Sequence, residues 1–179
     1  MLEDVYETVA ALDLVEPALA LVPPDQPDAE LVTWPGTLVV RAERSSDADE
    51  LIEVLAALTT GLTSDGSAVL VVAGDAPDLP GLLVGKLFRA LGSAAVSVCP
   101  ADNGGLVALA ARVPLPPWLK SAAVGLDTDG AVDRLAAAAP RRGDLGMGPG
   151  WHRVREPSDL SRLDPGLEGW GSTREALRR

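Results

Sequence analysis

The sequence predicts an α/β fold: a mostly parallel, doubly wound sheet with helices on both faces. Three observations carry that reading. Helical and strand-like apolar runs alternate along the chain. One run, Ala68 to Ala73 (AVLVVA), is apolar at every position, as in a parallel-sheet strand covered on both faces. The 179 residues are 47% apolar but only 3% aromatic, so the core must be built from tight layers of Ala, Val and Leu. A chain of this length is one ordinary domain, and no internal repeat or inter-domain linker interrupts it.

The elements follow in order. Residues 2–15 place Leu2, Val5, Tyr6, Val9 and Leu12 at helical spacing with acids between them. Ala18 to Val22 is a short strand-like run stopped by Pro23-Pro24-Asp25. Thr37 to Val40 is a second one. Asp47 is placed to cap a helix through Leu51, Ile52, Leu55 and Leu58 that stops at Gly61. Asp65-Gly66 makes a turn into the Ala68–Ala73 strand. The loop Gly74–Pro80 leads to a helix over 81–91 that Gly92 ends. Ala94 to Cys99 and Leu106 to Ala111 are strands separated by Pro100–Gly105. That gap is too short for a crossover helix, so the pair is expected to be antiparallel. Asp129 to Ala139 is an Ala-rich helix with Asp129 as its N-cap. Residues 140–150 hold four Gly and two Pro and are expected to be irregular. Pro157 marks a helix start, and the last dozen residues show weak periodicity.

Charge excludes several functions. The chain carries 15 Lys and Arg against 26 Asp and Glu, a net charge of −11. A field of that sign repels phosphate backbones, which argues against a nucleic-acid partner. Residues 1–50 hold 12 acids and 2 bases, whereas residues 141–179 hold 6 acids and 8 bases. One Cys excludes a disulfide framework and a cysteine-rich zinc site. No apolar run is long enough to span a membrane, and the acidic start Met1-Leu2-Glu3-Asp4 is no secretory signal. The expected location is the cytoplasm.

In sheets of this class, ligands bind beyond the carboxyl ends of the strands. That rule selects two loops. In Gly74–Pro80, Asp75 lies just past the strand, with Asp78 three residues on. Two carboxylates there can hold a hard divalent ion, or they can serve as turn and cap residues. In Pro100–Gly105, Gly104 and Gly105 remove side chains, so a sugar or phosphate could lie on the backbone; Asp-Asn-Gly-Gly is equally a tight turn.

The segment Val69 to Pro80 resembles the strand-and-loop signature of a bacterial family known as glycosyltransferase-A-like, or nucleotide-diphospho-sugar-transferase-like. Pro100 to Gly105 is similar to its Pro-Ala-Asp/Glu-Asp-Gly-Gly loop, with Asn103 in place of the second acid. Trp151 to Leu160 lines up with its Trp-x-Asp-x-Asp-Thr-Pro-Glu-Asp-Leu segment. The resemblance covers residues 1–165 and leaves 166–179 as a tail. It implies a nucleotide-diphospho-sugar-transferase type of sheet and a metal-holding role for Asp75, with Mg²⁺ or Mn²⁺ as the ion. Asp78 and Asp102 would then face the donor or acceptor, and Gly104 and Gly105 would make room for it.

Two departures accompany the resemblance. The family opens with a strand and a basic, Gly-containing loop that grips the nucleotide, and this chain is expected to lack that first β-α unit. The two acids of the third segment fall on Arg153 and Arg155. An Arg can neutralise phosphate, but it cannot coordinate a metal ion.

Other candidates have two readings each. His152, the one histidine, could be a ligand or base; Cys99 could be reactive or simply buried; Trp118 could stack on a ring or plug the core. Asp127-Thr128-Asp129 mimics an Asp-x-Asp metal motif. Arg141 and Arg142 could join Arg153 and Arg155 in one anion site or be solvated surface. The functional expectation is a divergent glycosyl or nucleotidyl transferase acting on a nucleotide sugar or phosphorylated small molecule. The competing expectation is a catalytically degenerate binding module on the same scaffold, with a bare sheet edge filled by a partner such as a second copy.

Overall fold

The computed structural model describes residues 1–43, 46–60 and 67–179. The helix stop expected at Gly61 and the turn at Asp65-Gly66 lie outside the described residues. In chain order the regular elements are α1 (Leu2–Ala10), β1 (Ala18–Leu21), β2 (Leu38–Arg41), α2 (Asp47–Thr59), β3 (Ala68–Val72) and α3 (Gly81–Ala90). They continue with β4 (Val96–Pro100), β5 (Leu106–Arg112), α4 (Pro117–Ser121), α5 (Ala131–Ala138), β6 (Leu145–Met147) and α6 (Gly171–Ala176). Short 3₁₀ turns cover Pro27–Val32, Arg142–Asp144 and Pro157–Arg162.

The strands form two sheets. A two-stranded parallel sheet pairs β1 with β2, Ala18 opposite Leu38 through Leu21 opposite Arg41. A four-stranded sheet has the order β3-β5-β4-β6. In it β5 runs antiparallel to both β3 and β4, and β4 runs parallel to β6. The α/β class and the antiparallel β4–β5 excursion are as the sequence predicts. The single, mostly parallel sheet is not: the expected sheet is divided, and its larger part is mixed. The physical reason for the mixed part is the five-residue connection between β4 and β5, which can reverse the chain but cannot carry a crossover.

Helices cover both faces of the larger sheet. On one face Leu51 and Leu55 of α2, Leu119 of α4 and Leu135 of α5 pack against Val69, Val98, Leu109 and Ala111. On the other, Val84 and Leu87 of α3 pack against Cys99, Val107, Ala108 and Ala110. The register shifts between Cys99 and Pro100, so Val107 and Ala108 lie in the same layer, as a bulge requires. Three of the seven β5 residues are alanine, which lets both helical layers approach closely in a core poor in aromatics.

Three expectations change. The Ala68–Ala73 run does form β3, but only Val69 within the strand is buried and the other four residues are half-buried. Among the described residues no strand neighbours its outer edge. The stretch 140–150 is not wholly irregular; it contains β6, which the parallel ladder to β4 makes regular despite its glycines. Asp129 is not the cap of α5, because Gly130, in the left-handed region at φ 67°, takes that position.

The final residues carry α6, held by a carboxylate from the other end of the chain. Asp4 is fully buried and accepts the backbone N–H groups of Ser172 (2.9 Å) and Thr173 (3.0 Å) and the Thr173 hydroxyl. These are orphan donors of the first turn of α6, so Asp4 acts as a cap supplied from α1. Asp4→Ala is expected to cost about 2–3 kcal/mol, as for charged hydrogen bonds lost on burial, and to lower the urea midpoint without changing the slope.

Candidate functional site

The site is built where the two selected loops meet the C-terminal segment. Asp75 sits three residues past the end of β3. Its Oδ1 and Oδ2 accept Nε and Nη2 of Arg153 at 2.6 and 2.9 Å, a bidentate fork. The Asp75 carbonyl accepts the Val154 N–H at 2.7 Å, so the same strand-like segment is pinned by backbone as well. Arg153 Nη1 donates to Asp127 Oδ1 (2.6 Å) and to the carbonyls of Leu126 (3.1 Å) and Leu106 (3.3 Å). The Arg153 side chain is only 8% exposed. Its burial works against the charge, yet the hydrogen bonds and charge of Asp75, then Asp127, outweigh that and raise its pKa above the ordinary arginine value.

Asp127 takes a second guanidinium, Nη2 of Arg155, on the same oxygen at 2.6 Å. Two carboxylates and two guanidinium groups therefore form one nearly balanced cluster. The loop that carries Asp127 is positioned by α2. Asp47 Oδ atoms accept the Asp127 N–H (3.1 and 3.2 Å) and the Thr128 hydroxyl (2.6 Å). The sequence reading makes Asp47 a helix cap; in the structure Ser46 is the cap, accepting the Asp49 N–H, and Asp47 is free to reach across the fold. A side chain at Gly125 would run into Asp47, which explains the glycine there.

A divalent cation on Asp75 needs several oxygens that converge on one point. Both Asp75 oxygens already accept from Arg153, and no group of three or more His, Cys, Asp or Glu converges among the described residues. The donors in this arrangement do not fit a resident Mg²⁺ or Mn²⁺.

Asp78 does not share that cluster. It is buried, and it accepts Trp151 Nε1 (3.2 Å), His152 Nε2 (3.0 and 3.1 Å) and the Asp164 N–H (3.2 Å). Trp151 and His152 stack with ring centroids 5.0 Å apart. Asp78 is thus the anchor for the C-terminal segment, and the one histidine is a partner of that anchor.

Asp102 is half exposed and pairs with Arg162 at 3.5 Å, while its N–H donates to the Trp151 carbonyl at 2.9 Å. Gly104 and Gly105 have φ of 94° and 74°, the left-handed region that favours glycine. A side chain at Gly105 would collide with the Leu126 carbonyl. Their smallness serves close packing of two loops, and the Leu106 N–H donates to that same Leu126 carbonyl at 2.8 Å.

A family model described as "Uncharacterized protein conserved in bacteria (DUF2064)" matches residues 5–125. The chain belongs to that family. The match contains both loops; Arg153 and Arg155 lie beyond it. No curated protein matches. A candidate nucleotide-diphospho-sugar transferase from Desulfovibrio desulfuricans G20 superposes with a TM-score of 0.65 at 17% identity, covering 98% of this chain and 80% of that one. A 4-diphosphocytidyl-2C-methyl-D-erythritol synthase gives 0.65 at 17% identity, covering 90% of this chain and 86% of that one. At such identity the likeness shows the fold: the DUF2064 chain has a nucleotide-sugar-transferase type of scaffold. No helix among the described residues is long and apolar enough to cross a membrane.

The structure brings Asp75 and Arg153 together and joins Asp127 to them, while Asp47, expected as a helix cap, reaches across to the Asp127 loop. The Asp-x-Asp spacing was the signal for Asp127; nothing local signals a contact 80 residues away. Arg142 lines a different hollow beside α5 and β6, and Arg141 pairs with Asp144, so the four arginines are not one anion site. Trp118 is partly buried against the core cluster that includes Leu119 and Leu135. Cys99 is buried, and burial, then the charge of Asp102, pushes its pKa up to about 11.

Arg153→Met should cost about 2–3 kcal/mol in denaturant unfolding. Asp75 loses its paired cation, an effect tempered because Asp127 is exposed. Arg155→Met should cost under about 1 kcal/mol. For Cys99, the neutral thiol is favoured in the folded state, so it binds a proton that the unfolded chain has released between the ordinary value of 9.0 and about 11. Its contribution to stability therefore falls as pH rises through that window. Iodoacetamide should label the native thiol slowly through pH 9 and the urea-unfolded chain rapidly at the same pH; equal rates would contradict the burial.

Proposed function

We propose that this protein is a binding or interaction module on a nucleotide-diphospho-sugar-transferase type of scaffold, without metal-dependent group transfer. One observation carries the reading: the Arg153 guanidinium lies between Asp75 and Asp127, with N–O distances of 2.6 Å to each, where a cation would otherwise bridge them. The positive charge that such scaffolds would recruit as an ion is built into the chain. A guanidinium is a hydrogen-bond donor and cannot accept the lone pair of a phosphate or hydroxyl oxygen as a metal does.

The shared fold favours a second reading, a glycosyl or nucleotidyl transferase acting on a nucleotide sugar or other phosphorylated small molecule. In that case Arg155, with a side chain 29% exposed, is the cation placed to meet phosphate.

Thermal unfolding with UDP-glucose or CTP, with and without Mn²⁺, separates the two. A nucleotide at about a hundred times its Kd would raise the Tm by roughly 5–10 °C. The expected outcome is no metal-dependent shift for the natural chain, and a gain of Mn²⁺-dependent stabilisation in the Arg153→Asp, Arg155→Asp double variant. A clear metal-dependent shift in the natural chain would overturn the module reading.

A further inference from the structure

We infer that the hollow between α5 and β6 is a binding site for an aliphatic carboxylate, with the hydrocarbon chain in the hollow and the carboxylate on Arg142. This goes beyond the reading above and does not rest on it, because no residue that lines the hollow belongs to the Arg153 cluster.

The hollow has an origin in the sequence. Val132, Ala136 and Ala139 recur at i, i+4 and i+7, so they form one stripe along α5 and its C-cap. Leu135, beside that stripe, is fully buried in the core. The two alanines of the stripe are short, and they leave space between the helix and Leu145 and Met147 of β6. The space amounts to about 550 Å³, within the size range of small-ligand sites. β6 is the last strand of its sheet, so among the described residues no further strand closes that edge. Ala136 and Met147 stay exposed as a result, and a ligand can enter from solvent.

The lining sets the chemistry of the ligand. Among the described residues that line the hollow, all but Arg142 are apolar and none is aromatic. A flat ring finds no stacking partner there, whereas an alkyl chain buries its whole length against Val, Ala, Leu and Met. Met147, flexible and polarizable, can follow the shape of such a chain. No carboxylate lines the hollow to accept the hydroxyls of a sugar, and the exposed Asp133 of α5 is not part of its wall. Arg142 supplies the one charge. Its guanidinium has no hydrogen-bond or ion-pair partner among the described residues, while the neighbouring Arg141 is already paired with Asp144 at 2.9 Å. An unpaired guanidinium beside an apolar hollow is complementary to an anionic head on an apolar chain, and its planar fork matches a carboxylate. One positive charge balances one carboxylate. A phosphate dianion would bring a surplus charge to a chain of net charge −11.

The test uses the full chain with ¹³C-labelled methionine methyl groups. Met147 lines the hollow and Met1, the other methionine, does not, so the two NMR signals separate the site from the rest of the surface. Decanoate, kept below its micellar concentration, should shift the Met147 signal saturably and leave Met1 in place. Octanoate should bind at least about fourfold more weakly, because two fewer methylenes are buried. Arg142→Gln should weaken decanoate about fivefold and leave decanol unchanged. Ala136→Trp, at an exposed position on the wall, should abolish the Met147 shift while the Tm stays within about 2 °C. A Met147 signal that ignores decanoate would overturn the site, as would equal affinity for octanoate and decanoate. Arg142→Gln binding decanoate like the natural chain would do the same, as would decyl phosphate binding more tightly than decanoate. A Met147 shift with protein concentration alone would mean that a second copy covers the hollow, and would equally overturn it. Should Ala136→Trp fail to fold, Arg142→Gln and the chain-length series decide the matter. Metal-dependent nucleotide binding would defeat the module reading and leave this site standing; a silent Met147 would defeat this site alone.

Discussion

The arrangement at the sheet end depends on one buried guanidinium. Arg153 joins three segments far apart in sequence: the loop after β3 through Asp75, the start of β5 through the Leu106 carbonyl, and the loop before α5 through Leu126 and Asp127. A carboxylate pair at one strand end would repel itself and demand a counter-charge. Here the chain provides it. The geometry is bidentate on one side and bridging on the other, which holds the C-terminal segment against the sheet while it neutralises the acids. The Val154-to-Asp75 and Asp102-to-Trp151 backbone bonds, with the Asp78 anchor on Trp151 and His152, make the same segment part of the domain.

That internal salt cluster also constrains chemistry. A site whose strongest donors and acceptors are satisfied by each other has little left for a cation, and a small ligand would have to displace them. The two sheets share α2 as a neighbour on one face. Asp47, at the start of that helix, holds the Asp127 loop that Arg153 and Arg155 grip.

Much of the fold was legible because local rules decide it. The helix over Leu51, Leu55 and Leu58 follows from apolar spacing. The β4–β5 reversal follows from the length of Pro100–Gly105. Within the site, the position of Asp75 past an apolar strand was legible, but its pairing with Arg153 was not, because 78 residues separate them. β6 was not legible, because Gly146 at its centre and the glycines around it weaken any strand signal and only the ladder to β4 makes it regular. Nor was the hold of Asp4 on α6, since no periodicity in the last residues points to a partner at the first.

By itself the sequence determined the α/β alternation, the Ala-, Val- and Leu-built core, the acidic front and the two loops at the strand ends. These depend on spacing, composition and charge, which act over a few residues or over the chain as a whole. Tertiary structure alone decided that the sheet is divided and that β3 is left half-covered. It also decided that Asp75 is spent on Arg153 and that Asp47 reaches to Asp127 instead of capping its helix. Each of those depends on groups separated by tens of residues, and their meeting is set by packing, which no local pattern encodes.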